Sequence, residues 1–182
     1  MLHRRINTRY EINDHDDMLA QMAAELASNG VDTYSEYGVG AIAVVEFRCS
    51  ETNYASDTDI HTELYGGINI NISGMEYKVH AEQLAMFNLV ADIQSEAILT
   101  DSNLKKIVVA TTKNDHSLVC GHCLQVIRGL SDHYNWNPAE IEYISVADPD
   151  YRRDPEQVSS WNWEIKYHTL SELMPSTYVE NR

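Results

Sequence analysis

Nine of the thirteen residues from Ala81 to Ile93 are apolar, and at helical spacing they cover every side of the cylinder. A helix without a polar face predicts a central, buried element with other layers packed around it. Gly38 to Phe47 reads as an apolar strand, buried on both faces. Lys106 to Thr112 and Ile141 to Ala147 are further strands, rich in β-branched residues, and Trp163 to His168 reads as a last short one. Tyr65 to Ser73 alternates, with Ile68, Ile70 and Ile72 expected on one face and Asn69 and Asn71 on the other.

Asp14 to Asn29 has the pattern of an amphipathic helix, with aspartates in its first turn and Gly30 after its end. Cys120 to Leu130 opens another helix, and Leu170 to Met174 a short one stopped by Pro175. Strands and helices alternate through most of the chain, which predicts an α/β layered domain spanning 1–182, with its core at about 14–179. The polar stretches at about 48–64 and 148–163 read as inserted loops. Cys49, inside the first of these, is expected to be a packed or half-exposed side chain.

The formal net charge of −15 narrows the range of partners. A surface this acidic repels nucleic-acid phosphates and anionic membranes, and a small neutral substrate suits it better. Lysine is scarce, at five residues against 28 acidic ones. Two readings of this stay open: adaptation to high salt, where dense ions screen self-repulsion, or simply an acidic soluble protein. No apolar run approaches the roughly 18–20 residues that span a bilayer, and no apolar stretch follows Met1 to Arg5 as a secretory signal would require. Cytoplasmic residence is the expectation.

Three cysteines make no disulfide framework, but Cys120-Gly121-His122-Cys123 has metal or redox spacing. Read with His80-Ala81-Glu82, it gives one histidine and two thiols, each at the start of a helix. Zinc favours tetrahedral nitrogen and sulfur ligands, and a catalytic site leaves one position open. His80, Cys120 and Cys123 supply three ligands and that opening. A helix N-terminus favours the thiolates that the metal needs. Glu82 is then a free carboxylate placed to act as general base. On an ideal helix, residues 80 and 82 lie about 200° apart. They converge only if His80 stands at the very start of the helix. An H-x-E on one helix start followed by C-x-x-C on the next is the signature of zinc deaminases.

Over roughly Tyr34 to Val179 the chain resembles the cytidine deaminase family. Tyr34 to Ala41, Gly67 to Asn71, His80 to Glu82, Cys120 to Gln125 and Leu170 to Tyr178 look like five of the family's segments, in its order. The resemblance implies a three-layer α/β/α fold with a five-stranded mixed sheet and one zinc ion per subunit. It also implies hydrolytic deamination of cytidine or deoxycytidine at C4, Glu82 carrying the proton to the ring nitrogen and then to the leaving amine. By the same resemblance Asn69 contacts the sugar, the backbone of Ala81 the base, and Tyr37 lines the base pocket. Tyr178 reaches a neighbouring subunit's site, in a homo-oligomer expected to be a tetramer rather than a dimer.

Four positions depart from the family pattern. Asn71 replaces a glutamate that contacts the sugar, and Val119 replaces the proline before C-x-x-C. Gln83 and Leu124 stand where arginines follow the two metal motifs. A His plus two thiolates already balances Zn²⁺, so losing both arginines is consistent with having His80. Three alternatives remain at this level. One is a deaminase of a related aminopyrimidine nucleoside such as blasticidin S, whose enzymes also lack the strand glutamate. Another is a thiol–disulfide oxidoreductase using the C-x-x-C. The last is a structural zinc module closed by His122 or Cys49 as fourth ligand.

Overall fold

In chain order the elements are α1 (Asp16–Ser28), β1 (Val31–Asp32), β2 (Val39–Arg48), β3 (Ile60–Ile68), β4 (Ile70–Asn71), α2 (Ala81–Ser95), β5 (Ser102–Thr111), α3 (Gly121–Tyr134), β6 (Glu142–Ala147), β7 (Glu164–Thr169) and α4 (Leu170–Leu173). They come from a computed structural model that describes residues 16–35, 37–48, 60–74, 77–95, 102–113, 115–147 and 164–174. The expected 148–163 insertion, Cys49 and Tyr178 lie outside the described residues.

Five strands form one mixed sheet in the order β3-β2-β5-β6-β7, in which only β5 and β6 run parallel. β2 and β5 sit inside the sheet and carry apolar side chains on both faces, as interior strands require. Alternate residues feed two separate cores. On one face Ile42, Val44, Val108, Ala110, Ile144 and Val146 pack against Leu19, Ala20, Ala23 and Ala24 of α1. On the other, Ala41, Ala43, Val45, Ile107, Val109 and Tyr143 pack against Ala81, Ala85, Met86 and Leu89 of α2 and Cys123, Leu124 and Ile127 of α3. This is the expected three-layer α/β/α arrangement with a five-stranded mixed sheet.

Two glycines let the helices lie directly on the strands. A Cβ at Gly40 would run into the backbone of Ala23 and Ala27 in α1, and one at Gly67 into the backbone of Ala81 and Ala85 in α2. Both collisions are with main chain, which has little room to yield. The Gly67 approach fixes the first turn of α2 over the sheet, and with it the position of His80.

Three expectations need correction. The first polar insertion is shorter than 48–64, because β2 runs through Arg48 and β3 already begins at Ile60. Thr62, Glu63 and Leu64 pair with Glu46, Val45 and Val44 across the ladder, and pairing with an apolar neighbour outweighs the polar composition. The Tyr65 to Ser73 segment is not one alternating strand. It breaks at Asn69, after which β4 leaves the main sheet and pairs in parallel with β1. Asn71 is therefore buried at 7% exposure, while Ile72 is 42% exposed. Finally, α2 is central but not enclosed on every side. It buries Ala81, Ala85, Met86 and Leu89 and leaves Phe87 51% exposed.

The Gly67 contact yields a direct test. Gly67→Ala should destabilise the protein by at least the roughly 1–3 kcal/mol typical of overpacking, read as a lower thermal unfolding midpoint. An unchanged midpoint would mean that α2 does not rest on β3 at this point.

Candidate metal centre and active site

His80 is the residue before α2, and its carbonyl accepts the Leu84 N–H in the first helical hydrogen bond. Gln83 turns its side chain back, so that Oε1 accepts the His80 N–H at 3.1 Å. That is the reciprocal half of a capping box, with glutamine at the third helical position. The residue standing where the family has an arginine thus fixes the backbone of the histidine. His80 lies outside the helical rotation, which meets the condition on which convergence with Glu82 depends.

Cys120 plays the same part for α3. It is the N-cap residue, in extended backbone conformation, and its Sγ accepts the Cys123 N–H. Val119 and Leu124, on either side of the motif, are buried in the core cluster that also holds Cys123. Packing accounts for the apolar residues at these two departures from the family pattern.

The two helix starts meet. His80 Nδ1 lies 3.3 Å from Cys120 Sγ and 3.4 Å from Cys123 Sγ, and the two sulfurs are 3.5 Å apart. Tetrahedral zinc, with Zn–S of about 2.3 Å and Zn–N of about 2.0–2.1 Å, spaces two sulfurs about 3.8 Å apart and nitrogen and sulfur about 3.5 Å apart. The triangle matches within a few tenths of an ångström. His80, Cys120 and Cys123 would hold a zinc ion as three protein ligands, and a four-coordinate ion would leave one position for water. Among the described residues this is the only group of three or more such side chains that could hold a metal ion. His122 is exposed, and its ring is stacked near that of His80 with centroids 6.3 Å apart. It lies outside the triangle.

Glu82 is buried beside this group. Burial pushes its carboxyl up from the ordinary range, opposed by its own backbone N–H, the nearby His80 and a hydrogen bond with the Cys123 thiol. Burial, then the Glu82 charge and Cys120, likewise push the Cys123 thiol up. Burial thus disfavours the charged forms of both Glu82 and Cys123. A divalent ion held by His80, Cys120 and Cys123 would offset that cost and would favour the thiolate form of its sulfur ligands. The donor set, its spacing and its electrostatics all fit zinc.

The remaining expected site residues fall in two groups. Ala81 is buried between His80 and Glu82 in the chain. Tyr37 stands at the entry to β2, its hydroxyl 3.3 Å from Asp115 Oδ1, with the Lys113 ammonium 4.9 Å from its ring centre. Asn69 bridges backbone: its Oδ1 accepts the Val39 N–H at 2.7 Å, and its Nδ2 donates to the Tyr37 carbonyl at 2.7 Å. Asn71 donates from Nδ2 to Asp32 Oδ1 at 3.0 Å. That carboxylate also accepts from the Tyr34 and Ser35 N–H groups and from the Ser35 hydroxyl. These hydrogen bonds, the Ser35 hydroxyl foremost, hold the Asp32 pKa at about 2. Both asparagines therefore fasten β3 and β4 to the segment that carries Tyr37. Sequence reasoning missed Asp32 and the capping role of Gln83. The glutamine three residues after His80 was a readable sign of the second.

No family model matches the sequence, and no curated protein matches it. Solved structures do. A cytidine deaminase from Burkholderia pseudomallei is 18% identical, covering 88% of this chain and 97% of its own, with a TM-score of 0.57. A cytidine deaminase from Mycobacterium tuberculosis is 17% identical, covering 88% of this chain and 94% of its own, with a TM-score of 0.51. At such identities the likeness concerns the fold, and it extends over nearly all of both solved chains. This chain has a cytidine-deaminase-like fold.

Proposed function

We propose that this protein is a zinc-dependent hydrolytic deaminase of free cytidine-type nucleosides. The observation that carries the reading is the three-atom triangle of His80, Cys120 and Cys123, with the buried Glu82 carboxylate beside it. Its setting in a cytidine-deaminase-like fold supports the same chemistry. When bound, zinc supplies Lewis acidity, lowering the pKa of water from about 15.7 to about 7. Glu82 then holds the proton taken from the attacking water and delivers it to the ring nitrogen as oxygen bonds to C4. A second transfer through Glu82 protonates the amine, the C4–N bond breaks and ammonia leaves. One water is consumed and one keto group formed for each ammonia released. A carboxylate beside the attacking water that can both take up and give back a proton suits such two-way traffic.

The net charge of −15 favours a free nucleoside over a polynucleotide. Among the described residues no helix is long and apolar enough to cross a membrane. Tyr37 is assigned to the wall of the base pocket, Ala81 to backbone recognition of the base and Asn69 to the sugar. Tyr178 is assigned to a neighbouring subunit's site. The exposed Phe87 on the helix that starts at the metal centre is in keeping with a homo-oligomer. The Cys120–Cys123 pair would also serve thiol–disulfide exchange, but that reading leaves the convergence of His80 and Glu82 on the two sulfurs without a purpose.

One observation favours a second substrate. Asn71 stands where a sugar-contacting carboxylate is expected, and its amide is turned to Asp32. A nucleoside with an altered sugar, such as blasticidin S, asks less of that position. Cytidine, deoxycytidine and blasticidin S assayed side by side by ultraviolet absorbance decide between them. The account predicts turnover of at least one of the first two, and turnover of blasticidin S alone would move the assignment to the second reading. Glu82→Gln should keep one zinc per subunit by metal analysis while kcat falls by roughly 10²–10⁴-fold or more. Turnover near wild type in that variant would remove Glu82 from the proton path.

A further inference from the structure

The segment from Thr112 to Cys120 joins β5 to α3; it has no proline, and its described residues form no helix or strand. It nevertheless delivers Cys120, whose sulfur has to meet His80 and Cys123 within a few tenths of an ångström. Two side chains of β6, two residues apart and so on the same face of the strand, hold it. Tyr143 donates its hydroxyl to the Ser117 carbonyl at 3.1 Å, three residues before Cys120. Ser145 Oγ lies 3.2 Å from Nδ1 of His116, the residue before Ser117. His116 Nε2 is in turn 3.3 Å from Glu164 Oε1. This Ser–His–Glu chain has the composition of a nucleophilic triad, but Ser145 is fully buried and open to no substrate.

Tyr143 is different in what surrounds it. Its ring is fully buried in the same core cluster as Ala81, Val119 and Cys123. The ring belongs to the core that also holds Cys123, while the hydroxyl ties down the backbone that leads to Cys120. We propose that Tyr143 is a positioning residue of the metal centre. Through the Ser117 carbonyl it sets where Cys120 stands relative to His80 and Cys123. Outer partners of this kind govern metal affinity because each ligand's freedom subtracts from the ordering already done in the folded protein. The inference rests on reading these three residues as metal ligands.

The test measures metal, not turnover. Full-length protein is stripped of zinc, and its affinity is measured by competition with a chromogenic chelator. Cobalt(II) absorption then reports ligand geometry. Tyr143→Phe removes one oxygen and keeps the ring. It should bind zinc roughly 10–100-fold more weakly and shift the cobalt bands, while circular dichroism of the stripped protein stays as in wild type. Replacing Tyr143 with 4-aminophenylalanine, which keeps a donor at the end of the ring, should restore most of the affinity. This second variant also keeps the question decidable if the phenylalanine variant does not fold. Zinc affinity within about two-fold of wild type and an unchanged cobalt spectrum in Tyr143→Phe would overturn the inference and leave the proposed function standing. So would a 4-aminophenylalanine variant no better than an equally weakened phenylalanine one. Wild-type protein that binds no zinc would overturn both.

Discussion

The structure depends on the meeting of two helix N-termini. α2 and α3 each present from the residue before their first turn a side chain that could ligate a metal, His80 on one and Cys120 on the other, and the two side chains lie 3.3 Å apart. Helix starts carry unpaired N–H groups and the positive end of the dipole, so they favour the thiolates and the Glu82 carboxylate. They do nothing for a cation. The negative groups supply that attraction, and burial strengthens it. The geometry is held from below by Gly67, which lets α2 rest on β3 without a side chain between them.

Around this meeting point, several residues act mainly on backbone. Gln83 caps the N–H of His80, Asn69 bridges the two ends of the Tyr37–Val39 turn into β2, and Tyr143 holds the approach to Cys120. Asp32 and Asn71 tie the small β1–β4 ribbon together beside them. β4 in turn pairs through Ile70 with Val79, the neighbour of His80. The ribbon and the metal centre are therefore one connected piece of structure.

Much of this was legible in the sequence, and the failures have identifiable causes. The layered fold followed from the apolar strands at Gly38 to Phe47 and Lys106 to Thr112 and the apolar helix after His80, because burial leaves a strong periodic mark. The triangle followed from ligand chemistry and spacing. The break at Asn69 was not legible, since Ile68, Ile70 and Ile72 alternate as if on one face. What turns the chain there is the pair of backbone hydrogen bonds to Asn69, made by residues 30 and 32 positions earlier. The start of β3 was hidden because Ile60 to Glu63 is polar in composition and gains its structure from pairing with β2. Tyr143 looked like ordinary core. Only the position of Ser117 gives its hydroxyl a purpose.

The central claim is an open metal site with three protein ligands at two helix starts. X-ray absorption at the zinc edge of the loaded, substrate-free protein tests it most directly. The account predicts two sulfurs at about 2.3 Å, one imidazole nitrogen at about 2.0–2.1 Å and one light, exchangeable oxygen. A fourth ligand from the protein, such as the His122 imidazole, or a shell without two sulfurs would contradict it.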